Sequence, residues 1–191
     1  MKHALRLSLA ALLLAGPAAA QHAGHGHAAG PYAGFQDREI RALSPAHIEE
    51  LRSGAGMAQA LAAELNGWPG PAHVLELAGP LGLTAQQREA SQALATRHRT
   101  AAIALGERII EAERALDLAF RQRSVTPASL DEMTARIGAL QAALRAEHLR
   151  THLAQTALLT GAQIRRYDEL RGYAAAGHTP PAEGHGAHRH R

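Results

Sequence analysis

An all-α fold, a long antiparallel helical hairpin with short flanking helices, is predicted by three features of this 191-residue chain. The pattern Leu83-Thr84-Ala85-Gln86-Gln87 recurs as Leu159-Thr160-Gly161-Ala162-Gln163. Each copy is a capping box, in which the Thr hydroxyl accepts from the backbone N–H three residues on and the Gln side chain reaches back to the Thr N–H. Between the two copies, apolar residues recur at three- and four-residue steps along two stretches separated by one short turn. Aromatic residues make up only 3% of the chain, and Ala and Leu dominate its apolar fraction. Such a composition builds thin helical layers, so pairing with a second copy is expected to complete the core.

The elements follow in order. Residues 1–20 read as a secretory leader, with Lys2 and Arg6 ahead of an apolar run and Ala18-Ala19-Ala20 as a small-residue cleavage site. The run is too short to span a bilayer comfortably and no later stretch is long and uncharged. A soluble exported protein is therefore expected, periplasmic in a Gram-negative cell. Residues 21–43 form a His-rich segment expected to be disordered. The all-helical domain is expected over 44–173. Ser44 and Pro45 give an N-cap and first helical turn for a helix through Arg52. Gly54 and Gly56 interrupt it before it resumes to about Leu65. A Pro- and Gly-rich turn over 66–71 precedes a short helical segment over 72–78 and the first capping box.

The first rod should run from Thr84 to about Arg123, with Leu94, Ala101, Leu105, Ile109, Ala112, Leu116 and Phe120 as its seam and Gly106 tolerated within it. That is about 60 Å of helix. Thr126 and Pro127 then cap and open a second rod, in which Leu130, Met133, Ile137, Leu140 and Leu144 keep the same spacing to about Leu158. So short a turn makes the rods antiparallel. Thr160 caps a last helix ending near Tyr173, and the Gly-, Pro- and His-rich residues 174–191 form a second disordered tail. Asp117 with Arg121, and Glu132 with Arg136, are i,i+4 pairs expected on exposed faces.

Composition narrows the chemistry. Without residues 1–20 the chain loses two of its 20 basic residues and none of its 17 acidic ones, leaving a formal charge of +1. The high isoelectric point is then no sign of nucleic-acid binding. Zero Cys excludes disulfides, thiolate metal sites, cysteine catalysis and c-type haem attachment. The chain has no GxSxG, no phosphate-cradling Gly loop and no carboxylate pair in a recognisable frame, so no enzyme is expected. Glu111, Glu113 and Asp117 read as a solvated helix face.

Histidine is the remaining candidate, as 12 of 13 lie beyond the leader. Seven are in the tails: His22, His25, His27, His178, His185, His188 and His190. With no thiolate available, imidazoles suit Zn, Ni, Co or Cu(II), although such tails also serve as solvating low-complexity segments. On the second rod, His148 and His152 are spaced i,i+4, which lets two imidazoles chelate from one face. Counting outward from the turn sets His98 opposite Thr151, so three histidines can meet across the hairpin. The alternative is that His98 and His148, which continue the seam of Leu94 and Leu144, are ordinary part-buried histidines bonded to a neighbour. The run from Glu147 to His152 is not HExxH and gives no support to a zinc protease.

The paired LTxxQ pattern, formed by Leu83, Thr84 and Gln87 and by Leu159, Thr160 and Gln163, resembles that of the periplasmic Spy/CpxP-type chaperones and their zinc-resistance-associated and heavy-metal-sensing relatives. The likeness covers about residues 80–173, with the leader and the His-rich ends beside it. It implies a bent hairpin whose two copies interlock into a curved cradle, and capture of unfolded or misfolded envelope proteins without ATP or a required cofactor. In the metal-related branch it implies Zn, Ni, Co or Cu held through His. A membrane stress-signalling protein is a further partner compatible with the resemblance. The chain departs from a minimal member in its longer N-terminal region, including Trp68, and a Met-containing metal site finds no match beside His148 and His152. Two functional expectations follow: a holdase, and a heavy-metal-binding sensor or resistance protein.

Overall fold

The computed structural model describes residues 30–173, and contacts divide the chain into Met1–Ala33 and Gly34–Arg191; all that follows concerns the described part of the second unit. The leader, the tail histidines His22, His25, His27, His178, His185, His188 and His190, and the segment 174–191 lie outside the described residues.

Six α-helices and one 3-10 turn, with no strand among the described residues, make up the fold. They are α1 (Pro45–Ser53), α2 (Leu61–Glu64), α3 (Pro71–Glu76), α4 (Ala85–Arg121), α5 (Pro127–Thr156) and α6 (Gly161–Arg171). The 37 residues of α4 and 30 of α5 are rods of about 55 and 45 Å. They pack on each other along most of their length. Helix starts follow the local chemistry of the sequence. Ser44 Oγ accepts from His47 N at 3.1 Å ahead of Pro45. Thr126 exchanges capping bonds with Ser129, closing the turn into α5. The turn itself places Arg123 at φ 54°, and Ser124 N donates to Ala119 O to end α4.

Part of the 21–43 segment expected to be disordered, from the 3-10 turn Phe35–Asp37 to Leu43, is built into the fold, and residues 21–29 lie outside the described residues. Ile40 and Leu43 are buried in the main apolar core beside Ile48 and Leu51 of α1. Across from them lie Ala102, Ile109, Ile110 and Ala112 of α4, and Ile137, Leu140 and Leu144 of α5. Gly106 is required here rather than merely tolerated. A Cβ on it would stand 2.3 Å from the Leu51 carbonyl oxygen, so its bare backbone admits the C-terminal end of α1. Gly54, at φ 68°, ends α1 against Ala102 and Ile103 of the same rod.

Two further expectations are corrected. Phe120 is 55% exposed, and Ala119 takes the inward position near the turn, because the helix phase has drifted by the last turn of α4. Asp117 is not on a solvated face: its side chain is 10% exposed and bridges Arg41 at 3.3 Å and Arg121 at 2.8 Å. Burial works against its charge, yet the hydrogen bonds from both guanidinium groups hold its pKa below the ordinary value. Glu113 is half-buried, and burial raises its pKa. Glu132 and Arg136, by contrast, stay exposed.

A second, smaller core sits at the open end of the hairpin. Val74, Ala78, Leu81 and Leu83 close over the ring of Tyr167 from α6. Between the two cores the α4–α5 seam turns polar.

Candidate functional site

Three features of the hairpin bear on function: the meeting of the two repeated motifs, the polar layer, and a set of exposed large apolar side chains on and near α2 and α5. In both motifs the capping box forms. Thr84 Oγ1 accepts from Gln87 N at 3.1 Å while Gln87 Oε1 accepts from Thr84 N at 3.0 Å. Thr160 and Gln163 repeat this at 3.3 and 2.9 Å. The motifs then clasp each other. Gln87 Nε2 donates to Gln163 Oε1 at 2.9 Å and Gln163 Nε2 donates to Gln87 Oε1 at 3.0 Å. Each amide spends its remaining N–H on a backbone carbonyl near the other motif, Gln87 on Leu158 at 2.8 Å and Gln163 on Leu81 at 3.3 Å. Both side-chain amides thus have every donor engaged, with two bonds at Gln87 Oε1 and three at Gln163 Oε1. A Glu could cap but could not donate, which explains why this position must be Gln. Sequence periodicity identifies the caps but carries no signal for the clasp. Leu83 is buried in the small core, and Leu159 packs against it half-buried.

The polar layer occupies the rods just beyond Leu144. Gln155, fully buried, donates from Nε2 to Ser91 Oγ at 2.9 Å. His98 Nδ1 lies 3.1 Å from Thr151 Oγ1 and 3.5 Å from Glu147 Oε1, the register expected from counting outward from the turn. His148 is 4% exposed, and its ring meets that of His98 edge to face with centroids 4.5 Å apart. Its Nε2 has no hydrogen-bond partner. Burial, then the neighbouring His98 and His152, pushes the His148 pKa down to about 4. Burial also lowers that of His98, against a hydrogen bond that its ring donates to Glu147, which raises it.

His152 turns elsewhere. Its Nδ1 donates to the Trp68 carbonyl at 2.7 Å, in the space left by Gly70, where a Cβ would stand 2.7 Å from the imidazole. Beside it is Glu64, a buried carboxylate that sequence reasoning missed, since its place between Leu61 of α2 and Leu65 just after it looks like an ordinary polar helix position. Tyr167 Oη donates to Glu64 Oε1 at 2.5 Å, and Gly70 N donates to Oε2 at 3.3 Å. His152 and Arg171 stand 3.7 and 3.8 Å away. This carboxylate ties α2, the 66–70 turn, α5 and α6 together. Burial, then the bond to Glu64, raises the Tyr167 pKa and keeps the phenol protonated.

Of the three rod histidines, the structure therefore brings His98 and His148 into contact and aims His152 at a backbone carbonyl. Among the described residues no group of three or more His, Asp or Glu side chains is arranged to hold a metal ion. No described helix is long and apolar enough to cross a membrane.

The third feature surrounds the contact between α2 and α5. Leu61, Leu65, Trp68 and Leu153 are each between 38 and 52% exposed. Leu61 and Leu65 are i,i+4 neighbours, Trp68 N donates to Ala63 O, and Leu153 follows the His152 that holds the Trp68 carbonyl. No protein-family model, curated protein or solved structure matches this chain.

Proposed function

We propose that this chain is an ATP-independent, chaperone-like protein of the Spy/CpxP type, exported to the periplasm, that holds unfolded envelope proteins on the surface of its hairpin and works as a homodimer without chemistry of its own. The observation that carries this reading is the exposure of Leu61, Leu65, Trp68 and Leu153, large apolar side chains on elements joined by the Glu64 and His152 hydrogen bonds. A rigid, moderately apolar surface favours weak multi-point binding, and weak binding permits release without an energy source. Purified protein should suppress aggregation of a chemically denatured client at near-stoichiometric ratio, with chelator present and nucleotide absent. No suppression at several-fold excess removes the proposal.

A second reading, heavy-metal binding in sensing or resistance, draws on the His98–His148 contact with its unpartnered Nε2 and on the tail histidines of the sequence. Calorimetric titration with Zn, Ni, Co and Cu(II) separates the contributions. Full-length protein, a tail-deleted form and a His148→Ala/His152→Ala variant are compared, and equally poor binding by all three ends this reading.

A further inference from the structure

A cavity of about 380 Å³ lies between α1, the turn after it and α5, apart from the clasp, the polar layer and the exposed apolar side chains. That volume is within the range of small-molecule sites. Its floor is apolar, made by Leu51, Ile109 and Leu144. Its rim carries His47, Gln59, Gln141 and Arg145, and no acidic residue lines it. Arg145 is exposed and, like the two glutamines, makes no side-chain hydrogen bond or ion pair among the described residues.

Two features of the backbone shape this cavity. Met57 and Ala58 are consecutive non-glycine residues in the left-handed region, at φ 42° and 58°. L-residues adopt that conformation only where the surroundings hold them to it, and such strain gathers at functional positions. Here it sets the flexible thioether of Met57 into the wall, packed against the core. Gly138 sits in the middle of α5, where glycine weakens a helix. It shares the i, i+3, i+4, i+7 face of Gln141, Ala142 and Arg145, all of which line the cavity, and a Cβ on it would meet nothing within 4 Å. The missing side chain keeps the mouth open.

We propose that this cavity binds an apolar chain ending in a carboxylate. The chain lies over Leu51, Ile109 and Leu144 beside Met57, and the carboxylate accepts from Arg145, with the Gln59 and Gln141 amides within the same rim. A fatty acid from membrane lipid and the apolar C-terminus of a peptide share this chemistry. The site is independent of client capture, and its test involves no client.

The protein is titrated calorimetrically with decanoate below its self-association concentration, with 1-decanol, and with a short peptide acid ending in two leucines. The Met57 methyl resonance is followed in parallel. One decanoate should bind per chain and shift that resonance, and 1-decanol should bind about tenfold more weakly. Arg145→Gln should weaken decanoate by about the same factor and leave 1-decanol unchanged. Gly138→Leu should fill the mouth and abolish both, with helical circular dichroism and unfolding midpoint retained. Tighter binding of decanoate supports a lipid-derived ligand, and tighter binding of the peptide supports a chain terminus. Binding of neither, binding that survives Gly138→Leu, or an unmoved Met57 methyl overturns the inference.

Discussion

Gln87 and Gln163 each have two tasks, closing a helix start and closing the hairpin. Loss of the cap alone costs about 1 kcal/mol. Because each amide leaves the other's donor and acceptor stranded when removed, the two positions must be coupled. A double-mutant cycle on Gln87→Ala and Gln163→Ala, read by urea unfolding, should return a coupling of about 1–2 kcal/mol. Additivity within about 0.3 kcal/mol would mean that the clasp contributes nothing in solution. Gln87→Glu should be the harsher single change, since a carboxylate accepts from Thr84 N but cannot donate to the Leu158 carbonyl. His148 gives the hairpin a pH dependence. The unfolded chain takes up a proton near the ordinary value of 6.5, whereas folded His148 resists until about 4. Its contribution is therefore complete above about pH 6.5 and is lost as pH falls toward 4, by on the order of 3 kcal/mol. Asp117 and Glu39 are lowered below already acidic values, and His98 is lowered and Glu113 raised by burial, so the large shift acting between pH 6.5 and 5 is that of His148. Over that interval the unfolding midpoint should drop for the parent protein and drop less for His148→Leu, which keeps only the His98 contribution. An equal drop in both would remove the assignment.

At the scale of elements, α4 is fixed at both ends and in its middle by different physics. Thr84 caps its start, Arg123 ends it in a left-handed conformation, and Gly106 admits α1. Gly106→Ala should destabilise by about 1–3 kcal/mol through overpacking against the Leu51 carbonyl. Gly138→Ala, on the other rod and facing open space, should stabilise by about 1 kcal/mol. The opposite signs, measured by thermal unfolding, separate close approach from helix propensity, and a gain at position 106 would contradict the packing described. Arg123→Gly should also stabilise, by about 1 kcal/mol, since glycine occupies that conformation without a Cβ penalty. Helix boundaries were legible because caps, prolines and periodicity are local signals. Ser44, Thr126 and Thr160 all start helices as their hydroxyls require. The seam was legible where apolar spacing persists and failed at Phe120, where one residue of drift turns a ring outward. The need for Gly106 is not legible, because the constraint on it comes from Leu51, 55 positions away, and no local pattern records such an approach.

Over the whole molecule, the hairpin and its register could be read by counting from a turn, and the His98–Thr151 pair lies where that count puts it. The polar layer could not. Glu64, Tyr167 and Gln155 are buried by tertiary packing that brings residues as much as 103 positions apart into hydrogen-bonding distance, and their sequence neighbours look unexceptional. The same holds for Ile40 and Leu43, which lie beyond a Gly- and His-rich stretch yet complete the main core. What emerges is a scaffold with two apolar cores, a polar layer between them, and large apolar side chains left exposed on and near α2 and α5. In the proposed function these exposed side chains contact the client. Trp68 is the only tryptophan in the chain and is one of them, so its fluorescence during aggregation of a tryptophan-free denatured client tests the claim most directly. Its emission should shift to the blue and saturate at the ratio where aggregation stops. Suppression with unchanged Trp68 emission, or no suppression at all, would contradict the account.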